Sequence, residues 1–167
     1  MKRICLALVC AIVCSVASFA QKGQSAVGIN LGYGIGLDEP KPKNIEIGVK
    51  YQYNISDPIR LEAAFNYGIK DKIQGVDVSV MDYALNAHYL FNVSDSFKFY
   101  PVVGLGAVTG KAEVAGESES KTKFMFNAGV GGEYCVGEHL GISLEVKYQY
   151  AKDFARIPIL LGVAYKF

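Results

Sequence analysis

From Ser25 to Phe167, apolar side chains recur at every second position and alternate with glycine, alanine or polar residues. A period of two puts successive side chains on opposite faces of an extended chain, so the pattern predicts strands rather than helices. The first segment carries Val27, Ile29, Leu31, Tyr33, Ile35 and Leu37 on one face, with Asn30, Ala26 and four glycines on the other. The second sets Ile45, Ile47, Val49, Tyr51 and Tyr53 against Asn44, Glu46, Gly48, Lys50 and Gln52, and the third sets Ile59, Leu61, Ala63, Phe65, Tyr67 and Ile69 against Arg60, Glu62, Ala64, Asn66, Gly68 and Lys70. Further apolar faces run from Met81 to Phe91, Phe97 to Ala107, Phe124 to Tyr134, Ile142 to Tyr150 and Ile157 to Phe167. The count is about eight, an even number that suits an antiparallel up-and-down barrel.

The joints alternate in character. Asn54 to Pro58, Asn92 to Ser96 and Gly137 to His139 are tight and rich in turn formers. Asp38 to Lys43, Lys70 to Gly75, Gly110 to Lys123 and Ala151 to Arg156 are more charged, and Gly110 to Lys123 is the longest. Hairpins also echo one another: Val49-Lys50-Tyr51-Gln52-Tyr53 recurs as Val146-Lys147-Tyr148-Gln149-Tyr150, and an Asn-Ile/Val-Ser-Asp turn occurs twice.

Alternation alone does not say which face is inside. An eight-stranded barrel is just wide enough for side chains to fill, and the roughly forty bulky groups of the apolar face would not fit there. With that face outward, glycine, alanine and charged residues line the lumen, and a transmembrane β-barrel follows. Its mid-strand inward set holds Glu46, Glu62, Glu133 and Glu145 against Lys50, Arg60, Lys98 and Lys147. Buried charges are tolerable only when paired, so an ion-pair network that plugs the lumen is expected. Parity slips once, upstream of Met81, where Val76, Val78 and Val80 take the opposite register, and a bulge or an extension beyond the membrane is expected there. Tyr51, Tyr53, Tyr89, Phe91, Phe97, Phe99, Tyr134, Tyr165 and Phe167 fall near the end that carries the tight turns, and Phe65, Tyr67, Tyr83, Phe124, Phe126, Tyr148 and Tyr150 towards the other, as two aromatic girdles. Tight turns belong on the periplasmic side of such barrels and longer loops outside, which puts both termini in the periplasm.

Composition agrees. Hydrophobic residues make up 51% of the 167, mean hydropathy is +0.20, and 18 Gly, 11 Tyr and 9 Phe favour turns and strands. The first twenty residues read as a cleaved signal peptide: Lys2 and Arg3, an apolar stretch from Ile4 to Val16, then Ala17-Ser18-Phe19-Ala20 with cleavage after Ala20. Residues 21–167 then form the barrel domain. Cleavage removes Cys5, Cys10 and Cys14 and leaves Cys135, so neither an intramolecular disulfide nor a cysteine metal site is expected. It also leaves 15 basic residues of the original 17 against 16 acidic ones, a balance that excludes nucleic acid as a partner.

Three stretches carry a family resemblance: Gly28-Ile29-Asn30-Leu31-Gly32-Tyr33-Gly34, Tyr100-Pro101-Val102-Val103-Gly104-Leu105-Gly106 and the terminal Gly162-Val163-Ala164-Tyr165-Lys166-Phe167. On these the chain resembles the small eight-stranded outer-membrane proteins of the OmpA-barrel and OmpX-like type, especially the outer membrane protein β-barrel domain proteins of Bacteroidetes. The resemblance implies residence in the outer membrane of a Gram-negative cell, in contact with outer-membrane lipid and lipopolysaccharide. It also implies that Tyr165 and Phe167 belong to a C-terminal signal read by the barrel-assembly machinery. Longer family members add a peptidoglycan-binding domain, and none is expected after the barrel here.

Catalytic chemistry finds no footing. His139 lies in a turn and His88 faces the lumen, neither at a spacing from Ser and an acid that makes a nucleophile and base. The His-x-Ser pattern of lipid A deacylase barrels is missing, as are phosphate-binding glycine loops and metal-spaced clusters, so no catalytic, cofactor or metal residues are assigned. The expected function is a structural or surface-contact role without an open pore, with Lys111 to Lys123 as the loop that could reach an extracellular partner. A porin-like channel is the alternative. A lipocalin-like carrier is disfavoured by the lack of Trp, and a lipid-modifying barrel by the missing Ser/His/acid set.

Overall fold

The computed structural model describes residues 22–37, 43–73, 76–114, 117–152 and 154–167, and the expected signal peptide, residues 1–20, lies outside them. The strands are β1 Ser25–Gly36, β2 Lys43–Asn54, β3 Ile59–Ile73, β4 Val76–Tyr89, β5 Phe91–Asn92, β6 Phe97–Val114, β7 Glu117–Val136, β8 Leu140–Ala151 and β9 Phe154–Lys166. Each is antiparallel to its neighbours. Short β5 continues the path of β4 past the buried Leu90 along the same partner, β6, so nine strands make eight staves. First and last strands pair from Ala26↔Lys166 to Gly36↔Arg156, and β4 pairs with β6, which closes the cylinder.

Sidedness is decisive. Ile47, Leu61, Leu144 and Leu161 expose 54%, 44%, 53% and 51% of their surface on the outside, while Glu46 and Lys147 in the lumen expose 1% each. The outer belt continues through Val27, Ile29, Leu85, Leu105, Phe124 and Tyr148. An apolar surface this continuous is stable against hydrocarbon and not against water.

The two echoed turns fold alike. Ile55 N–H donates to Ile59 O at 3.0 Å and Ser56 N–H to the same oxygen at 3.3 Å; Val93 and Ser94 N–H donate to Phe97 O at 2.9 and 3.1 Å. Gly137 opens the third tight turn at φ 67°, a left-handed conformation that suits glycine. Ser25 and Phe167 exchange backbone hydrogen bonds of 3.2 and 2.9 Å, which fixes the two barrel ends together beside these turns.

Other joints differ from the sequence reading. Gly110 to Lys123 is not an open loop: β6 and β7 stay paired from Gly110↔Lys121 to Val114↔Glu117, with the Thr109 and Thr122 hydroxyls 2.8 Å apart. The apolar period stops there because the hairpin leaves the hydrocarbon, but backbone pairing needs no apolar face. Likewise β3 runs to Ile73, and the Ala151 to Arg156 joint shrinks to residues 152–153, with Ala151 opposite Phe154. Residues 38–42 lie outside the described set. Upstream of Met81 β4 carries no bulge of its own, since its register with β6 is unbroken from Asp77↔Glu113 to His88↔Val102; the bulge lies in the partner strand β3, where Gly68 pairs with Val80 and Asp71 with Val78, so Ile69 and Lys70 together oppose Ser79. Val80 keeps the inward register of Asp82 and Ala84 and is buried.

Glycines in the lumen wall make room for large inward groups. A Cβ at Gly131 would sit 2.5 Å from the ring of Tyr100, which is fully buried. Gly131→Val should therefore displace that ring and destabilise the barrel by about 1–3 kcal/mol. Urea unfolding in phospholipid vesicles measures the loss.

Candidate functional site: the barrel lumen

The period-two alternation that sends apolar groups to lipid brings polar groups from every stave into one narrow interior. Near the mouth beside the tight turns, Arg60 on β3 donates from Nη1 to Glu133 Oε2 on β7 at 2.5 Å, and Lys166 on β9 holds Glu133 Oε1 at 2.5 Å. Lys98 lies opposite Glu133 in the β6–β7 ladder and lines the same mouth with Lys166, yet Glu133 is taken by the other two cations. Lys166 also donates to the Cys135 thiol at 3.0 Å.

One layer further in, Glu145 on β8 collects Tyr100 O–H at 2.9 Å, Lys147 at 3.2 Å and Lys50 at 3.7 Å. Lys50 donates to Ser143 Oγ at 2.9 Å. Glu62 is satisfied mainly by amides, accepting from Gln52 at 2.8 Å and Asn86 at 3.0 Å. His88 stacks on Tyr100 with ring centroids 4.8 Å apart, and Arg60 lies over the same ring.

Towards the outer side, Arg156 on β9 donates to Glu46 on β2, to Asp82 on β4 at 2.6 Å and to Gln149 at 2.6 Å. Asn66 donates to Asp82 at 3.0 Å. Above this cluster the lumen turns apolar: Val80, Ala84, Val108, Met125 and Ala151 pack together, with Phe154 against them.

Glu46, Lys50, Arg60, Glu62, Lys98, Glu133, Glu145 and Lys147 are thus all buried in one lumen. Asp82, Arg156, Lys166 and Tyr100 share it and escaped the sequence reading. The sequence pattern places Arg156 in a joint, whereas in the structure it lies one position before Ile157 in β9 and in register with Leu160, Gly162 and Lys166. Extending the alternation of the last strand by one step would have found it.

Glu62, His88 and Glu145 also bring ligand-type atoms within 4.8 Å of one another. The arrangement does not suit a metal ion. Arg60 Nε donates to His88 Nδ1 at 3.1 Å, so the ring hydrogen occupies Nε2, the nitrogen a cation would need, and Lys147 and Lys50 already crowd Glu145 with positive charge.

A closed eight-stave barrel with a hydrocarbon-facing exterior and an ionic interior defines a small integral membrane protein of the outer-membrane type. Residues 6–167 match the family model described as outer membrane protein beta-barrel domain, and the chain belongs to that family and resides in the outer membrane. Its fold is similar to that of Neisserial surface protein A (TM-score 0.78, 17% identity, covering 87% of this chain and 100% of that one). It is also similar to Ail, the attachment invasion locus protein of Yersinia pestis (0.67, 19%, 87% and 99%), and to the N-terminal β-barrel domain of Pseudomonas aeruginosa OprF (0.60, 19%, 87% and 100%). No curated protein matches the chain in sequence.

Removing one partner of a buried ion pair strands the others. Arg156→Met should cost about 3–5 kcal/mol because Glu46 and Asp82 lose their shared cation, and adding Glu46→Gln and Asp82→Asn should restore a large part of it. Urea unfolding of the single and triple variants in vesicles tests the coupling.

Proposed function

We propose that this protein serves the outer membrane as a sealed barrel, a structural and surface-contact element rather than a conduit or an enzyme. One observation carries the reading. Arg156 reaches from β9 to Asp82 on β4, four staves away around an eight-stave cylinder and therefore on the opposite wall, and holds Glu46 on β2 as well. Arg60–Glu133 and Lys50–Glu145 cross the lumen at other levels. Opening a water path would require breaking several such pairs together.

The absence of an enzymatic role is supported by the engagement of both histidines. Arg60 donates to His88, and His139 stacks on Tyr165 with centroids 5.6 Å apart, so neither is arranged to take a proton from a serine. The surface role rests on the β6–β7 hairpin. At 18 and 20 residues its strands are about twice the length needed to cross hydrocarbon, and they rise past Phe124 into Thr109, Thr122 and Lys111. Through this segment, Lys111 to Lys123, the protein would meet an extracellular partner, while its belt meets outer-membrane lipid and lipopolysaccharide. Tyr165 and Phe167, both exposed at the periplasmic rim, serve the barrel-assembly machinery during biogenesis, after a signal peptide has delivered the chain.

Purified protein in planar bilayers should give no steady conductance, and Arg60→Ala combined with Arg156→Ala should introduce it. Steady nanosiemens steps from the unaltered protein would instead favour the porin-like alternative. Tyr165→Ala with Phe167→Ala should lower the membrane-inserted fraction in cells, read as loss of the gel-mobility shift between unheated and boiled samples.

A further inference from the structure

Positive charge is unevenly spread along the lumen. The outer cluster sets one cation, Arg156, against two carboxylates, Glu46 and Asp82. The middle layer sets Lys50 and Lys147 against Glu145 and Glu62. At the mouth beside the tight turns, Arg60, Lys98 and Lys166 gather around a single carboxylate, Glu133, and the only other acidic neighbour is the Cys135 thiol, which accepts from Lys166. Three cations against one anion leave this layer with a surplus of two.

The surplus falls on two particular groups. Arg60 uses Nε on His88 and Nη1 on Glu133, and its Nη2 is buried with no hydrogen-bond partner among the described residues. Lys98 is only 5% exposed and makes no hydrogen bond or ion pair with another described residue, because Arg60 and Lys166 hold the two oxygens of Glu133. Arg60 and Lys98 line the same small cavity, which meets solvent past the half-buried Gln24 and Ser25. Its volume is about 10 Å³, room for about one water-sized sphere. Two cationic donors withdrawn from water at one place are costly unless an anion joins them.

We propose that this cavity binds a single halide-sized anion, which completes the ion-pair network at the mouth by accepting from Arg60 Nη2 and Lys98 Nζ. The space is too small for a phosphate or a carboxylic acid to enter whole, and the flexible stem of Lys98 lets it adjust to a monatomic ion. Two lining groups oppose an anion. Glu133 is one, but both its oxygens are already neutralised by ion pairs at 2.5 Å. Gln52 is the other: its Nε2 is spent on Glu62 and its Oε1 has no partner among the described residues, yet the partial charge of an amide oxygen is small beside two full positive charges. A water in the same place would satisfy hydrogen bonds and leave the charge uncompensated. The site goes beyond the sealed-barrel reading and stands whether or not the lumen conducts.

Chlorine NMR of sodium chloride titrated into the purified protein in phosphatidylcholine nanodiscs tests the assignment, with empty nanodiscs subtracted and ionic strength held constant by sodium gluconate. Excess chloride line width that saturates at about ten to a hundred millimolar is expected, as the contacts of one atom allow. Bromide should displace the bound chloride and gluconate, too large for the cavity, should not. Lys98→Met should abolish the saturable part, whereas Lys22→Met, which removes an exposed cation from the same end without touching the cavity, should leave it unchanged. Each variant is first checked for the unheated-to-boiled gel shift of an intact barrel, and the bromide and gluconate competitions on the unaltered protein need no variant at all. A line width that never saturates, as water alone in the cavity would give, displacement by gluconate as effective as by bromide, or equal binding after Lys98→Met would overturn the proposal, as would a loss with Lys22→Met as large as with Lys98→Met.

Discussion

Hydrocarbon offers a peptide group no hydrogen-bond partner, and the rest of this structure follows from that. A sheet with a free edge in the membrane would leave a row of N–H and C=O groups unsatisfied, at several kcal/mol each. The ladder from Ala26↔Lys166 to Gly36↔Arg156 removes the edge by joining the first strand to the last. Closure forces the two faces of every strand into two solvents: one set of side chains must live in lipid, the other in a space too narrow for bulk water. The period of two along the sequence is the chemical record of that division.

The interior is then a problem of desolvation. Acids and bases withdrawn from water regain stability only through pairing, and the geometry meets this by sharing. Glu133 takes two cations, Glu145 two cations and a phenol, and Arg156 two carboxylates and an amide. Sharing fixes the relative rotation of the staves, since a slip of one residue would turn every charge towards lipid. Small residues complete the fit. At Gly162 a Cβ would lie 2.5 Å from Lys50 Nζ and 2.6 Å from Ser143 Oγ, so a larger residue there would displace the cation from its place beside Glu145.

Fold and sidedness were legible because every membrane-crossing segment repeats one signal. Ile47 against Glu46, or Leu144 against Glu145, reads the same way at any point of the belt. Legibility fails where the solvent changes. Past Thr109 and Thr122 neither face of the β6–β7 hairpin needs to be apolar, so the alternation disappears although the pairing does not. Arg156 is hidden for a related reason: Phe154 and Ala155 break the apolar rhythm just before it, so the alternation starts only at Ile157 although the strand starts at Phe154. Partner choice inside the lumen was also not readable. Lys98 is next to Glu133 in the ladder, but the pair that forms is set by how far Arg60 and Lys166 reach across the barrel, a property of the closed shape and not of any one strand.

The apolar cap at the outer mouth ties these levels together. Val80, Val108, Met125, Ala151 and Phe154 cover the Arg156 cluster from the outer side, and excluding water from ion pairs has two opposite effects. It strengthens each pair once formed, and it raises the cost of leaving any member unpaired. A lumen under such a cap therefore tolerates few intermediate states, because loosening one contact of Arg156 leaves a buried carboxylate without its cation. The barrel is held shut by the same exclusion of water that keeps its exterior in the membrane.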